Sequence, residues 1–314
     1  MIRTERNCPR REGFTLVELL VVIAIIAVLA SMVILGVFAM IGNRTKSNTE
    51  ANVRVLHKML QTRWAAVIAD AKKETPSPAA QSLAAFDLER ARAIWIKVRL
   101  AEAFPISFSE LESDPKKVVN IVNTYIPANK LKPHFTKYRT TITAYPAVPG
   151  PTESSACLLM ALRTLQADGL AIDDQMKNAV VDTDGDGIPE LIDGWGRPLA
   201  FFRFPWNDSA LQAANPTAGN SAAGKYSDPT DPFGKLLDNK QPSNWYKTTS
   251  PVNFRAIFES TFHPIMVTAT NNAYYTTPVI ASAGKDGLMM LNGDLSSTGT
   301  GSADNILSFQ LRGD

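Results

Sequence analysis

Cysteine is almost missing from this chain: its 314 residues hold two, Cys8 and Cys157. They lie on opposite sides of the one long apolar run, so a disulfide between them does not suit a folded domain, and its stabilisation must come from something else. Histidine is nearly as scarce. His57, His134 and His263 are scattered, and no serine-centred nucleophile motif accompanies them, so the sequence shows no framework for a hydrolytic site. An excess of one charge is also lacking. The 32 Lys and Arg against 30 Asp and Glu leave no polyelectrolyte footprint for nucleic acid. No internal repeat is visible, and the length accommodates two ordinary domains or one domain with long insertions.

What is present begins at the amino terminus. Arg3, Arg6, Arg10 and Arg11 precede a stretch from Leu19 to Met40 that carries no charge. As a helix rising about 1.5 Å per residue, that stretch spans roughly the ~30 Å hydrocarbon core of a bilayer. The positive-inside bias then keeps the amino terminus in the cytoplasm and exports everything after Gly42. A secretory signal peptide is the competing reading, with Val28-Leu29-Ala30 as a small-residue cleavage pattern and Ser31 as the new terminus. Its apolar region should be only about 7–15 residues long. A carboxylate at Glu18, near the start of the run, is also foreign to such signals. A charge at the bilayer centre costs on the order of 2.5–3.5 kcal/mol, less near an end, and no cation within the run can answer it.

The residues Gly13-Phe14-Thr15-Leu16-Val17-Glu18, followed by Leu19-Leu20-Val21-Val22-Ile23-Ala24-Ile25-Ile26, resemble the processing site of the type IV prepilin family. The resemblance implies that a membrane prepilin peptidase cuts after Gly13 and that the new terminus at Phe14 is N-methylated. Glu18 becomes the fifth mature residue. The ammonium at Phe14 of one subunit can then neutralise Glu18 of a neighbour, a pairing stronger in an apolar environment than in water. Cys8 belongs to the discarded leader. The partners implied are the peptidase, other pilin or pseudopilin subunits, the membrane and an assembly platform, with no nucleic acid.

Past Asn43 the chain turns polar while Val53, Leu56, Leu60 and Val67 repeat at steps of three, four and seven, with Trp64 beside the stripe. The helix is therefore predicted to run to about Asp70, with His57 on it as a surface or packed residue. Residues 72–80, with Pro76 and Pro78, read as a linker. Leu83 to Ala103 reads as a helix with Phe86, Ile94, Val98 and Ala101 near one face. Ser154 or Ser155 is predicted to cap a helix carrying Leu158, Leu159, Leu162 and Leu165, ended by Gly169, with Cys157 as core filler. Strands are predicted at Leu199 to Phe204, Pro278 to Ala283 and Ile306 to Leu311, and an irregular insertion between Asn207 and Asn244.

Two acidic loops carry the metal expectation. Asp182, Asp184 and Asp186, followed by Gly187, the carbonyl of Ile188 and Asp193 at the twelfth position, have the spacing of an EF-hand-type calcium loop. The competing reading is an acidic surface turn. The run Asp193-Gly194-Trp195-Gly196-Arg197-Pro198-Leu199 resembles a segment of major type II secretion pseudopilins. That resemblance implies a calcium site near the last strand, for which Ala283-Gly284-Lys285-Asp286-Gly287 and Ala303-Asp304-Asn305-Ile306 stand in the corresponding order, with Asp286 and Asp304 as ligands.

The fold expected is α+β and pilin-like. Residues 1–13 are a leader, and 14–70 a long amino-terminal helix, membrane-spanning over 14–41. Residues 71–150 form a helical and irregular insertion, and 151–314 a domain with a small antiparallel sheet and a long loop at 207–250. The expected function is structural, without catalysis: a subunit of a type II secretion pseudopilus or type IV pilus-like filament, anchored in the cytoplasmic membrane with its domain outside. The alternatives are a minor tip pilin with an adhesive or cargo-binding role, and a membrane-anchored extracytoplasmic enzyme or binding protein using the same export signal.

Overall fold

The structure is a computed structural model. It describes residues 15–112, 114, 116, 119–127, 142, 150–164, 172–208, 210–211, 228–237, 244–246, 252–265 and 275–311. The chain divides into two units, residues 1–45 and residues 46–314. Helix α1, Leu16–Ala71, begins in the first and ends in the second.

The architecture of the second unit is α+β. Its part of α1 buries Val53, Leu56, Leu60, Trp64, Ile68 and Ala71, a stripe at steps of three and four, so Trp64 lies within the stripe and Val67 is left at its margin. His57 is packed, only 8% exposed. Helix α2, Pro78–Leu83, starts where the sequence suggested a linker: Pro78 occupies the first turn, where its missing N–H costs nothing, and Ser77 accepts from the Ala80 amide at 3.3 Å. Helix α3, Leu88–Ala103, follows with Asp87 as its cap.

The single helix expected over Leu83 to Ala103 is thus two helices, and the break has a defined form. Ala85 donates to the Ser82 carbonyl and Phe86 to the Gln81 carbonyl, both at 3.0 Å, the two bonds of a Schellman motif. Such an ending wants glycine. Here Ala85 (φ 52°) and Phe86 (φ 61°) take the left-handed conformation instead, at about 1–2 kcal/mol each. Phe86 is consequently turned outward, 80% exposed, and not on the buried face.

Helix α3 is buried nearly all round, including Arg90 and Lys97. Buried cations need partners, and these come from far along the chain. Lys97 Nζ lies 3.2 Å from Asp228 Oδ2 and 3.2 Å from Thr276 Oγ1, with the Phe204 ring 4.9 Å away. Asp228 is completed by Thr230 and Thr276, whose hydroxyls donate to it at 2.6 and 2.7 Å. Arg90 donates to the carbonyls of Ala84 and Lys235 and faces the buried Trp245 ring. Asp228, Thr230, Asp231, Leu236 and Trp245 are therefore buried in the core while Phe233 is exposed, so the irregular stretch expected there contributes core residues.

After the short α4 (Ile121–Tyr125) comes α5, Pro151–Thr164. Ser154 and Ser155 are inside α5 and do not cap it. Ser155 Oγ donates to the Leu191 carbonyl at 2.8 Å and accepts from the Leu191 amide at 2.9 Å, while Ser154 Oγ accepts from Phe201 N at 3.2 Å. The two hydroxyls thus pin α5 to two strands. Cys157 is fully buried, and burial pushes its thiol well up, as suits core filler. Leu165 and Gly169 lie outside the described residues. The short α6, Ile172–Gln175, leads to an antiparallel pair, β1 (Val180–Val181) and β2 (Glu190–Leu191). A three-stranded antiparallel sheet has the order β3 (Ala200–Phe202), β4 (Val279–Ser282), β5 (Ile306–Leu307), with Phe201 opposite Ile280 and Ser282 opposite Ile306. The last strand is shorter than expected, since Ser308–Leu311 winds into a 3₁₀ turn. Helix α7, Phe254–Thr261, sets Phe258 and the adjoining Phe262 and His263 among Phe204 and Trp245.

Ionisable groups around Lys97 oppose one another. Burial lowers the His263 imidazole to about 3, and the Lys97 ammonium adds to this. Burial raises Asp231 to about 6. For Asp228 burial raises the pKa, but the Lys97 charge and the threonine bonds outweigh it and hold it low. As pH falls below 6.5 the unfolded chain protonates His263 first and stability is lost; as it falls from about 6 toward 3.8 the folded chain protonates Asp231 first and stability is gained. His263→Gln should therefore unmask a rise in stability on acidification, by up to about 1.4 kcal/mol per pH unit, that is weaker in the parent. Denaturant unfolding of the full chain in detergent, followed from near neutrality into the mildly acidic range, measures this; equal slopes would refute it.

Candidate functional site

The first unit supplies one site. Every side chain from Thr15 to Ile34 is exposed, and Leu16–Ile34 is long and apolar enough to cross a membrane. Fourteen large apolar side chains lie between Leu16 and Ile34. At roughly 1.5–3 kcal/mol each, leaving them in water forgoes on the order of 20–40 kcal/mol, more than the whole stability of a typical domain. This surface therefore requires lipid or protein around it.

Glu18 has a local partner that the sequence reading missed. Thr15 precedes the first helical residue and Glu18 is the third residue of α1. The Glu18 amide donates to Thr15 Oγ1 at 3.2 Å, and Glu18 Oε2 accepts from Thr15 N at 2.8 Å and Thr15 Oγ1 at 2.9 Å. This is a reciprocal capping box, legible in Thr15-Leu16-Val17-Glu18 as the Thr-x-x-Glu pattern. It satisfies amides that lipid would leave bare. Gly13 and Phe14 lie outside the described residues.

The second unit carries the acidic loop between β1 and β2. Pairing of Val181 with Glu190 closes the hairpin and brings Asp182, Asp184, Asp186 and Glu190 together, each offering an oxygen within 4.8 Å of the others. The loop is shaped by its own side chains. Asp182 accepts from Gly185 N at 2.7 Å and Gly187 N at 3.0 Å, and Asp186 accepts from Ile188 N at 2.7 Å. Gly185 (φ 77°) and Gly187 (φ 84°) supply the left-handed turns. Burial raises the Asp186 pKa, and the charges of Asp184 and Asp182 add to it. Burial likewise raises Glu190, further lifted by Asp184 and Asp186 although Thr183 bonds oppose this. Four carboxylates crowded in this way, with no ion pair to a cation among the described residues, form an all-oxygen donor set. Oxygens gathered within 4.8 Å of one another could hold a hard cation.

Membership of the group differs from expectation. Glu190 replaces Asp193, and it was visible as the ninth position of the twelve-residue loop, which also contributes in such loops. Asp193 is 4% exposed and engaged elsewhere: Oδ1 accepts from Trp195 N at 2.9 Å and Arg197 N at 3.0 Å, and Oδ2 from Ser282 Oγ at 2.7 Å. It ties the turn before β3 to β4. Ile188 contributes a fully buried side chain under the loop.

Asp286 and Asp304 are not gathered into such a cluster. Asp304 Oδ2 accepts from the amides of Lys285 and Asp286 at 2.7 and 3.1 Å, and Asp286 Oδ1 accepts from Leu288 N at 2.8 Å. The carbonyls of Gly284 and Lys285 receive the Arg197 guanidinium at 2.8 and 3.2 Å. A protein cation thus occupies two oxygens of the turn. Gly284 (φ 66°) is required there, because a Cβ would fall 2.3 Å from the Asp304 carbonyl oxygen.

Residues 8–34 match the prokaryotic N-terminal methylation motif. Together with the apolar helix, this segment fits the signal of a type IV prepilin or pseudopilin. No curated protein and no solved structure matches the chain.

Asp186→Asn keeps an acceptor for the Ile188 amide and removes one of the mutually repelling charges. Because the folded pKa of Asp186 is raised, its ionised form costs stability at neutral pH and the cost fades on acidification. In chelator at neutral pH the variant should be more stable by roughly 0.5 kcal/mol, a surface-sized effect. The difference should vanish below the carboxylate range, as thermal unfolding across pH will record.

Proposed function

We propose that this chain is a structural subunit, without catalytic role, of a type II secretion pseudopilus or type IV pilus-like filament. The observation that carries the reading is the methylation motif over residues 8–34 joined to an apolar helix exposed on every side. Prepilin peptidase cuts after Gly13 and Phe14 becomes the methylated terminus. The basic leader stays in the cytoplasm, and residues beyond Gly42 are exported. Before assembly lipid covers Leu16–Ile34; in the filament the same helices of other subunits do. Glu18 then has two duties, capping its own helix and accepting the Phe14 ammonium of a neighbour. The loop Asp182, Asp184, Asp186 and Glu190 holds calcium, which is plentiful outside the cytoplasm, and so tightens a hairpin of two-residue strands in a domain without a disulfide.

The two duties of Glu18 can be separated. Glu18→Gln retains an acceptor for Thr15, so helix content and processing at Gly13 should persist, with a mature mass beginning at Phe14. The lost charge should nevertheless abolish incorporation into filaments. Sedimentation of sheared filaments reads this outcome, and normal incorporation of the variant would leave Glu18 with its capping role alone.

Calcium removal gives a second test. A ligand bound only by the folded state stabilises it by about 2.7 kcal/mol at a hundredfold excess over Kd. Chelator should lower the melting temperature of the full chain, calcium should restore it, and magnesium should hardly do so, since it demands a tighter octahedron. Asp184→Ala should remove the response and Asp304→Ala should leave it intact. A melting curve indifferent to chelator would reduce the loop to an acidic turn.

A further inference from the structure

The buried ion pair of α3 is surrounded by more hydrogen bonds than neutralising a charge requires. Lys97 is fully buried, and its Nζ lies 3.2 Å from Asp228 Oδ2. Asp228 Oδ1 accepts from the Thr230 amide at 2.8 Å and from the Thr230 hydroxyl at 2.6 Å. Oδ2 accepts from Thr276 Oγ1 at 2.7 Å, and the same hydroxyl accepts from Lys97 Nζ at 3.2 Å. Thr276 therefore touches both members of the pair. Thr230 and Thr276 are themselves buried, and the Phe204 ring stands 4.9 Å from Nζ, so the pair is shut away from water.

These contacts are also the parts of an amide-forming site. An amine and a carboxyl do not condense in water, because both are ionised and water is in excess. Burial removes both obstacles, since it disfavours the charged forms and excludes solvent. One proton passes from Nζ to Oδ2 along the hydrogen bond that already joins them, leaving a lone pair on Nζ. Cγ is one C–O bond, about 1.23 Å, beyond Oδ2, so it lies within about 4.5 Å of that lone pair. Oriented groups of this kind reach effective concentrations of about 10⁵–10⁸ M. As Nζ adds to Cγ, negative charge develops on Oδ1, where the two Thr230 donors already point. A second Nζ proton reaches Oδ2 through the Thr276 hydroxyl, the Cγ–Oδ2 bond breaks, and one water leaves. No oxidant or other reactant is consumed. Pro229 has no N–H, so the following backbone nitrogen cannot compete for the Asp228 carboxyl.

We infer that Lys97 and Asp228 of the folded chain join through an amide bond between Nζ and Cγ, releasing water, so that the second unit forms its own covalent staple. The product replaces two buried charges, which stabilise a fold poorly, with one neutral group that keeps the Thr230 bonds on Oδ1. It also closes a loop across 131 residues, and a cross-link restricts the unfolded chain more as its loop lengthens. A chain whose two cysteines are not placed to pair thus gains a link that reductant does not break. The reaction needs neither filament assembly nor calcium.

Mass spectrometry of the parent chain tests it without any variant. The full chain, purified in detergent and then denatured, should be lighter than its sequence by one water. Trypsin should fail to cut after Lys97 and should release residues 93–99 joined to residues 226–235. Lys97→Arg keeps the charge but lacks the amine, and should return the full mass and two separate peptides. Thr276→Val should slow the appearance of the joined peptide by about a hundredfold, the usual scale for losing a positioned proton carrier, and Thr276→Ser should restore it. A parent chain of full mass overturns the inference. So does a chain one water lighter whose two peptides separate, because an aspartyl–glycine step such as Asp184-Gly185 can lose the same water by cyclising on itself.

Discussion

The fold of the second unit depends on two cations being buried in α3. A lysine with a fully buried ammonium is tolerated only with a counter-charge and hydrogen bonds, and removing one partner of such a pair typically costs about 3–5 kcal/mol. Lys97 obtains Asp228 and Thr276, and Arg90 obtains the carbonyls of Ala84 and Lys235. These demands draw residues around 228–237 onto the helix, and Trp245 and Phe258 fill the remaining space beside Arg90 and Phe204. A segment of turn-forming composition thereby becomes part of the core.

The first unit follows a different constraint. Its helix exposes more apolar surface than the stability of a domain could offset, so its environment must be apolar, and every polar group at its start needs a partner of its own. The capping box between Thr15 and Glu18 supplies part of this within the chain. A carboxylate that accepts from Thr15 still has unused acceptor capacity. Local capping and pairing with a neighbour's terminal ammonium are therefore compatible on one side chain.

The acidic loop and the Asp193 turn show how a small β domain manages without disulfides. Asp193 links the Trp195–Arg197 turn to Ser282 on β4, and Arg197 continues the link to the carbonyls of Gly284 and Lys285. Asp304 closes the same turn from the side of β5. Charged side chains thus do the cross-linking near the sheet. Among the described residues, acidic side chains gather into one group in the β1–β2 loop, which is why it and not the Asp304 turn has the donors for a cation.

The sequence by itself determined the features whose cause is local. The uncharged run and its preceding arginines, the motif around Gly13, the stripe from Val53 onward and the positions of β3 and β4 were legible because composition and periodicity act over a few residues. The Thr15 cap and Glu190 as the ninth position of the loop are written just as locally, in the Thr-x-x-Glu pattern and in the spacing from Asp182. Tertiary structure alone decided the rest. Ser154 and Ser155 became pins to β2 and β3 in place of caps, Asp193 was taken by Ser282 rather than by the loop before it, and Lys97 found a partner 131 residues away. In each case a polar group buried by packing had to be satisfied by whatever the fold placed beside it, and no spacing along the chain records that choice.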